Sequence, residues 1–293
     1  MSDFIYPVEQ ISTDSVLYFK QFTHRQNKNF VKVLLNGDTN ILEMFVSTLI
    51  KDLSVNDIDT DNLSCIDKLG ILLGIRAYNV SPVAKFTTIV DKGRQEQFEI
   101  SVNDVIDKIK QHKVAHTFNI DKNGIKVEGT IPKVLAAENQ LDMITSSIDV
   151  IEFNGNAIDA RELTLDQRRE VIDKLPSFVL SSVLEFLYEQ EQILKTTPVI
   201  KLGSDQEMHL SFINRSIAEI IRLFFNTDLK QFYETEYTLI KHFNFTHESI
   251  NNCAPAELML YYNIINEEIK KQKEEEQKQQ SGQSVNPNNS LKG

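Results

Sequence analysis

The sequence predicts an α+β fold, with N-terminal helices and a small antiparallel hairpin-based sheet followed by a mostly helical C-terminal region. Three observations carry this. Apolar residues recur at helical spacing across residues 41–53 and 65–80. Two pairs of β-rich runs between residues 86 and 131 are each joined by a turn signal. After about residue 133 strand signals nearly vanish and helical periodicity takes over. The expected organisation is an α+β domain over 1–135, a helical domain over 136–279 and a disordered tail over 280–293.

The first predicted helix follows the turn signal Asn36-Gly37-Asp38, with Asn40 as its cap and Glu43 placed to close a capping box. Ile41, Leu42, Phe45, Val46, Leu49, Ile50 and Leu53 then form one apolar face. A second helix runs from Cys65 to about Val80, with Leu69, Leu72, Leu73 and Arg76 on adjoining turns, and Ser81-Pro82 ends it. Phe86–Val90 and Gln97–Ile100 read as a hairpin around Asp91-Lys92-Gly93-Arg94. A short helix follows from Val102 to His112, with Val105, Ile106 and Ile109 on one side. Residues 114–120 and 125–131 flank Asn123-Gly124, the strongest short-range signal for a hairpin turn.

In the second half, Thr164 and Gln167 match a capping box, and the helix they open ends at Pro176. The next carries Leu180, Leu184, Leu187 and Leu194. Ile213, Ile217, Ile220, Ile221 and Phe224 mark another, and the last begins at Pro255 and continues into the charged run 267–276. Beyond Gln279 the Ser, Gly, Gln, Asn and Pro bias offers too little apolar surface to offset the entropy of ordering.

Composition narrows the function classes. A net charge of −11 over 293 residues works against a phosphate-tracking surface, so nucleic acid is not an expected partner. No window approaches the roughly 18 consecutive apolar residues of a membrane span, and the N-terminus carries Asp3 where an export signal needs positive charge. Cys65 and Cys253 lie in helical segments far apart, suggesting neither a disulfide framework nor a ligand pair.

No motif points to catalysis or a cofactor. Asp57, Asp59 and Asp61 imitate the start of a calcium loop, but Asn62 stands where glycine permits the sharp turn and Lys68 where the bidentate glutamate belongs. The pairs His112/His116 and His242/His247 lack the helical spacing and the glutamate of a zinc protease site. Gly70 and Gly74 lie inside a helix, not after a strand, so they form no phosphate-binding loop. No catalytic, cofactor or metal residue is assigned, and a non-enzymatic protein is expected. Two segments could serve partner binding. One is the aromatic cluster from Phe224 to Tyr237. The other is the stripe Leu258, Tyr261, Tyr262, Ile265 and Ile269, which could dock in another helix's groove or pack on the chain's own core.

The local wording resembles one known family. Residues 29–36 precede a helix, then comes the acidic turn 53–63 and the run Ile66–Tyr78. Phe86–Val90, Gln97–Ser101 with Val102–Val105, His116-Thr117 before Asn123-Gly124, and Pro132 follow in order. This layout is similar to that of the T4-like bacteriophage baseplate hub and hub-assembly proteins. Some relatives carry a Cys-x-x-Cys knuckle in the hairpin corresponding to Thr88–Gly93; this chain has no cysteine there, so no zinc carries over. The resemblance implies assembly of the tail hub by protein–protein interaction, as a chaperone for hub or tape-measure protein. A structural hub subunit retained in the virion and a tail-associated hydrolase are the alternatives. It implies a location in the host cell cytoplasm during assembly, or in the virion tail baseplate.

Overall fold

The computed structural model describes residues 4–90, 94–202, 206–213 and 215–282. The centre of the chain proposed for the first hairpin turn, 91–93, and the tail from 283 to 293 lie outside the described residues.

The chain opens on an antiparallel ribbon, β1 (Ile5–Glu9) and β2 (Val16–Lys20), with Tyr6 opposite Phe19. Alternation buries Tyr6, Val8 and Phe19 and leaves Ile5 and Tyr18 exposed. Helix α1 (His24–Asn36) starts at a Thr23–Gln26 capping box and stops at Gly37, whose φ of 81° only glycine adopts without strain. Helix α2 (Thr39–Leu53) follows at once. Its cap is Asp38, which accepts from the Asn40 and Ile41 N–H groups, rather than Asn40 as the sequence suggested. Glu43 is thereby released from capping and used elsewhere.

Helix α3 (Cys65–Asn79) runs through the middle of the molecule, with thirteen of its fifteen residues buried. Ser64 caps it by accepting from Asp67 N–H. Its glycines serve close packing: a Cβ on Gly70 would stand 2.5 Å from Ile11 Cδ1, and one on Gly74 2.6 Å from Val8 Cγ1. At its far end Arg76 donates from Nε to the Phe224 carbonyl at 2.6 Å, tying α3 to the end of α8 (Ser216–Phe225). Burial pulls this guanidinium down to about 10.

The first expected hairpin is present as β3 (Val83–Val90) and β4 (Arg94–Ser101), and α4 (Val102–Gln111) follows it. The second is β5 (Thr117–Lys122) and β6 (Ile125–Thr130), turning through Asn123 and Gly124 at φ 54° and 76°. The expected loss of strands near residue 133 needs correction. After α5 (Gln140–Ser147), β7 (Ile148–Phe153) pairs with β6, and β8 (Asn156–Asp159) pairs with β7. The result is a four-stranded antiparallel sheet in the order β5-β6-β7-β8, taking two strands from each side of residue 135. A two-stranded β9 (Ile200–Leu202) and β10 (Gln206–Met208) comes later.

Helix α6 (Leu165–Asp173) carries the expected Thr164–Gln167 capping box, and α7 (Ser177–Lys195) begins after Pro176. A single hydrophobic core extends from Tyr6 to Phe225. Past α8, α9 (Leu229–Phe243), α10 (His247–Asn252) and α11 (Pro255–Gly282) build a separate small core from Leu239, Ile250, Leu258 and Ile265. Helix α11 continues through Gly282, into the stretch expected to be unstructured.

Candidate docking site

Four elements converge beneath α2 in a buried polar knot. Lys68 of α3 meets Glu43 of α2 in an ion pair and donates to the Lys133 carbonyl at 2.9 Å. The other Glu43 oxygen accepts the Leu135 N–H at 2.7 Å. Lys133 reaches the opposite way, to Asp149 of β7 and to Asn62 Oδ1 at 2.9 Å. The two lysine side chains are 3% and 6% exposed, a depth at which an unpaired ammonium would not be tolerated. Burial lowers the Lys133 pKa, against the pull of Asp149 in the other direction. The acidic turn that imitates a calcium loop takes part as scaffolding: Asp59 accepts from Asp61 N–H at 3.2 Å and from Asn62 Nδ2 at 2.5 Å, which fixes Asn62 for Lys133.

Above the knot lies a cleft of about 760 Å³ bounded by α2, the 60–61 turn, the 133–138 segment, α5 and α6. Five cations line it, Lys51, Lys68, Lys133, Arg168 and Arg169, with the carboxylates Glu43, Asp61, Glu138 and Asp142. Arg169 pairs with Asp142 at 2.9 Å, and Glu138 faces Arg215 at 3.7 Å. The half-buried Arg168 side chain has no hydrogen bond or ion pair among the described residues, and its Nε is shielded from solvent. A shielded donor without an acceptor costs about 1–3 kcal/mol. Met44 and Leu165, 70% and 57% exposed, stand at the same cleft as large apolar side chains open to solvent.

The C-terminal stripe is divided by the structure. Leu258 and Ile265 are 1% and 4% exposed and pack with Leu239 and Ile250, with Ile269 against them. Tyr262 is half-buried. Tyr261 is exposed, lies 5.6 Å from the Phe245 ring and approaches Glu257 Oε1 at 3.3 Å. The inner residues therefore hold α11 on its neighbours, and the side left open carries Leu260 and Ile264, one turn apart at 59% and 48% exposure. The aromatic cluster divides likewise: Phe224, Phe225 and Phe232 are buried, whereas Tyr233 and Tyr237 are exposed.

This small helical core is tied to α1 by Glu236, which accepts from Lys28 Nζ at 2.5 Å and lies 3.1 Å from His24 Nε2. The backbone N–H of His24 donates to the Cys253 carbonyl at 2.8 Å. Burial, with Lys28 nearby, lowers the His24 pKa although Glu236 opposes it. For Glu236 burial acts to raise the pKa, but hydrogen bonds and charge from Lys28 and His24 prevail and lower it. The other histidine of note, His112, spans the Lys108 and Thr197 carbonyls at 2.7 and 3.0 Å, a structural tie between α4 and the loop after α7. Among the described residues no cluster of three or more His, Cys, Asp or Glu side chains forms a metal site, and no helix is long and apolar enough to cross a membrane.

An α+β body of this kind, matched in sequence, is a bacteriophage baseplate protein. The chain belongs to the family described as T4 bacteriophage base plate protein, whose match covers residues 4–215. No curated protein and no solved structure matches it. The matched region contains the polar knot and the whole cleft, and it ends just before α8.

Proposed function

We propose that this baseplate protein is a hub-assembly factor acting by protein–protein contact, as a chaperone for hub or tape-measure protein in the host cytoplasm during tail assembly. The observation that carries the reading is α11. Its first part is docked through Leu258, Ile265 and Ile269, whereas residues 270–277 are all exposed. At about 1.5 Å per residue the 28-residue helix is roughly 42 Å long, and the part beyond Ile269 accounts for roughly 20 Å of it. Leu260, Tyr261 and Ile264 stand on the docked portion with their side chains open to solvent. A charged helical extension rising beside exposed apolar residues suits reversible engagement of a partner's helix, because the apolar contacts bind and the flanking charge keeps the unoccupied protein soluble.

A structural subunit retained in the particle is the second reading, favoured by the continuous core that underlies the matched region. Mass spectrometry of purified virions beside infected-cell lysate separates the two. Abundance in lysate with absence from virions is the expected result. A fixed copy number in virions would overturn the chaperone reading in favour of the retained subunit.

A further inference from the structure

We infer that the cleft between α2 and α6 is a second docking site, distinct from α11, and that it takes a short acidic, apolar segment of a partner protein. The inference rests on the reading that the chain works by protein contact, but not on whether that contact is transient or permanent.

Charge and shape both select this occupant. The molecule as a whole carries −11, yet the cleft lining has five cations against four carboxylates. Most of these charges are already committed: Lys68 to Glu43, Lys133 to Asp149 below the cleft, Arg169 to Asp142, and Glu138 to Arg215. Three lining charges have no ion pair among the described residues: Lys51, Arg168 and, opposing them, Asp61. The surplus is therefore positive and is shared by Lys51 and Arg168, the latter with a planar guanidinium suited to a carboxylate. Arg168 emerges from the first turn of α6, where the Thr164–Gln167 capping box fixes the backbone, and the backbone N–H of Arg168 itself donates to Thr164 at 2.8 Å. The guanidinium is thus held at the cleft by a rigid helix end without being quenched by its neighbours.

The apolar half of the specificity comes from Met44 on α2 and Leu165 on α6, with Val134 and Ala136 between the two helices in sequence and on the same cleft lining. Methionine is adaptable enough to fit an irregular partner, methionine and arginine are both enriched in protein interfaces, and Leu165 adds aliphatic surface on the same cleft lining. A free inorganic anion would satisfy Arg168 but leave Met44 and Leu165 in water. A purely apolar ligand would cover those two and leave the cation unpaired. A segment carrying both a carboxylate and an aliphatic side chain answers both demands.

The test uses the full chain and two fluorescein-labelled hexapeptides, one alternating glutamate with leucine and the other lysine with leucine, read by fluorescence anisotropy. The acidic peptide should bind, and its affinity should fall as salt is added. Arg168→Gln should weaken it by about tenfold or more, the loss expected for one charge-assisted contact. Leu165→Ser should also weaken it, and Lys230→Gln on the distant α9 should not. Arg168→Glu should reverse the preference towards the lysine peptide, a gain that misfolding cannot imitate. Equal binding of both peptides, no binding of the acidic one, or acidic binding that survives both Arg168→Gln and Leu165→Ser would each overturn the inference. Virion composition tests the chaperone reading independently: peptide binding can fail while the chain is still confined to lysate, and it can succeed while the chain is found in virions.

Discussion

Replacing Glu43 with alanine strips the knot of its central acceptor, and the structure sets the size of the consequence. Lys68 is 3% exposed and would retain only the Lys133 carbonyl, so its charge would be left without a counter-ion in the interior. Removing one partner of a buried pair costs about 3–5 kcal/mol. Glu43 is itself 22% exposed and therefore partly screened, which favours the low end, about 3 kcal/mol. Loss of the Leu135 N–H acceptor adds about 1 kcal/mol, giving about 4 kcal/mol in all. Glu43→Gln keeps the shape but only one of the two acceptors and leaves Lys68 without a counter-ion, so it should cost nearly as much, about 3 kcal/mol. The informative variant is the double change Glu43→Leu with Lys68→Met, which removes both charges at similar volume and should cost only about 1–2 kcal/mol, the share of the Leu135 N–H and Lys133 carbonyl left without partners. Equilibrium urea unfolding followed by circular dichroism provides the midpoints and slopes. If Glu43→Ala costs under about 1 kcal/mol, or the double variant is as unstable as the sum of the singles, the knot is not what joins α2, α3 and the 133–138 segment.

Gly74→Ala should destabilise the protein by about 1–3 kcal/mol, because its Cβ would overlap Val8. Adding Val8→Ala should recover part of that, so thermal unfolding of the double variant should show less loss than the two singles combined. In α11, Ile265→Ala should cost about 2–5 kcal/mol as a core truncation, whereas Leu260→Ser and Ile264→Ser together should stay within about 0.5 kcal/mol each. Thermal unfolding distinguishes them, and comparable losses would contradict the assigned faces. Acid should loosen the contact of α1 with α9. The lowered His24 pKa means that neutral His24 stabilises the fold above its unfolded value of about 6.5, and that this is lost as pH falls through the folded pKa. The lowered Glu236 pKa contributes stability above about 4.3, likewise lost on further acidification through its folded pKa. Amide exchange in α9 should therefore quicken in two stages below about pH 6.5, and Glu236→Gln should abolish the lower stage; exchange rates flat with pH after correction for intrinsic chemistry would refute the assignment.

How far the fold was legible depended on whether local chemistry and burial agreed. Helices α2 and α3 have apolar faces long enough to fix the period, and Asn123-Gly124 supplies the positive φ angles its hairpin demands. The same signal occurs again at Asn154-Gly155, with φ of 49° and 83°, after the β-branched run of β7. Read with equal weight it marks β7 and β8, and the four-stranded sheet would have been foreseen. Helix α1 was hidden for a different reason: its buried side includes His24 and Asn27 beside Phe30, Val31 and Leu34, so polarity breaks the stripe, although the Thr23–Gln26 capping box announces its start. Strand β1 went unpredicted, and its central Pro7 sits on an outward-facing position of a two-stranded ribbon, where proline is tolerated. The cap of α2 was misplaced because Gly37 ends one helix and Asp38 begins the next with no linker between them.

The docking surfaces mark a sharper boundary between what a sequence can and cannot convey. Periodicity identifies the stripe Leu258, Tyr261, Tyr262, Ile265 and Ile269, but it contains no information about what covers that stripe. Here Leu239 of α9 and Ile250 of α10 pack with Leu258 and Ile265, whereas Tyr261, Leu260 and Ile264 are left in water. The cleft is harder still, since Glu43, Lys68, Lys133 and Arg168 come from four separate segments and share no spacing. In the sequence Glu43 reads as a capping residue and Lys68 as the wrong residue for a calcium loop, while Lys133 and Arg168 read as ordinary charged residues, which are mostly exposed. What distinguishes them is a tertiary fact: two lysines are driven inward, each meets a carboxylate from another element, and a nearby arginine does not. That imbalance exists only when α6 is packed on α5 and faces α2 across the cleft, so the property proposed to select a partner comes from the packing of the matched body and is absent from any stretch of it read alone.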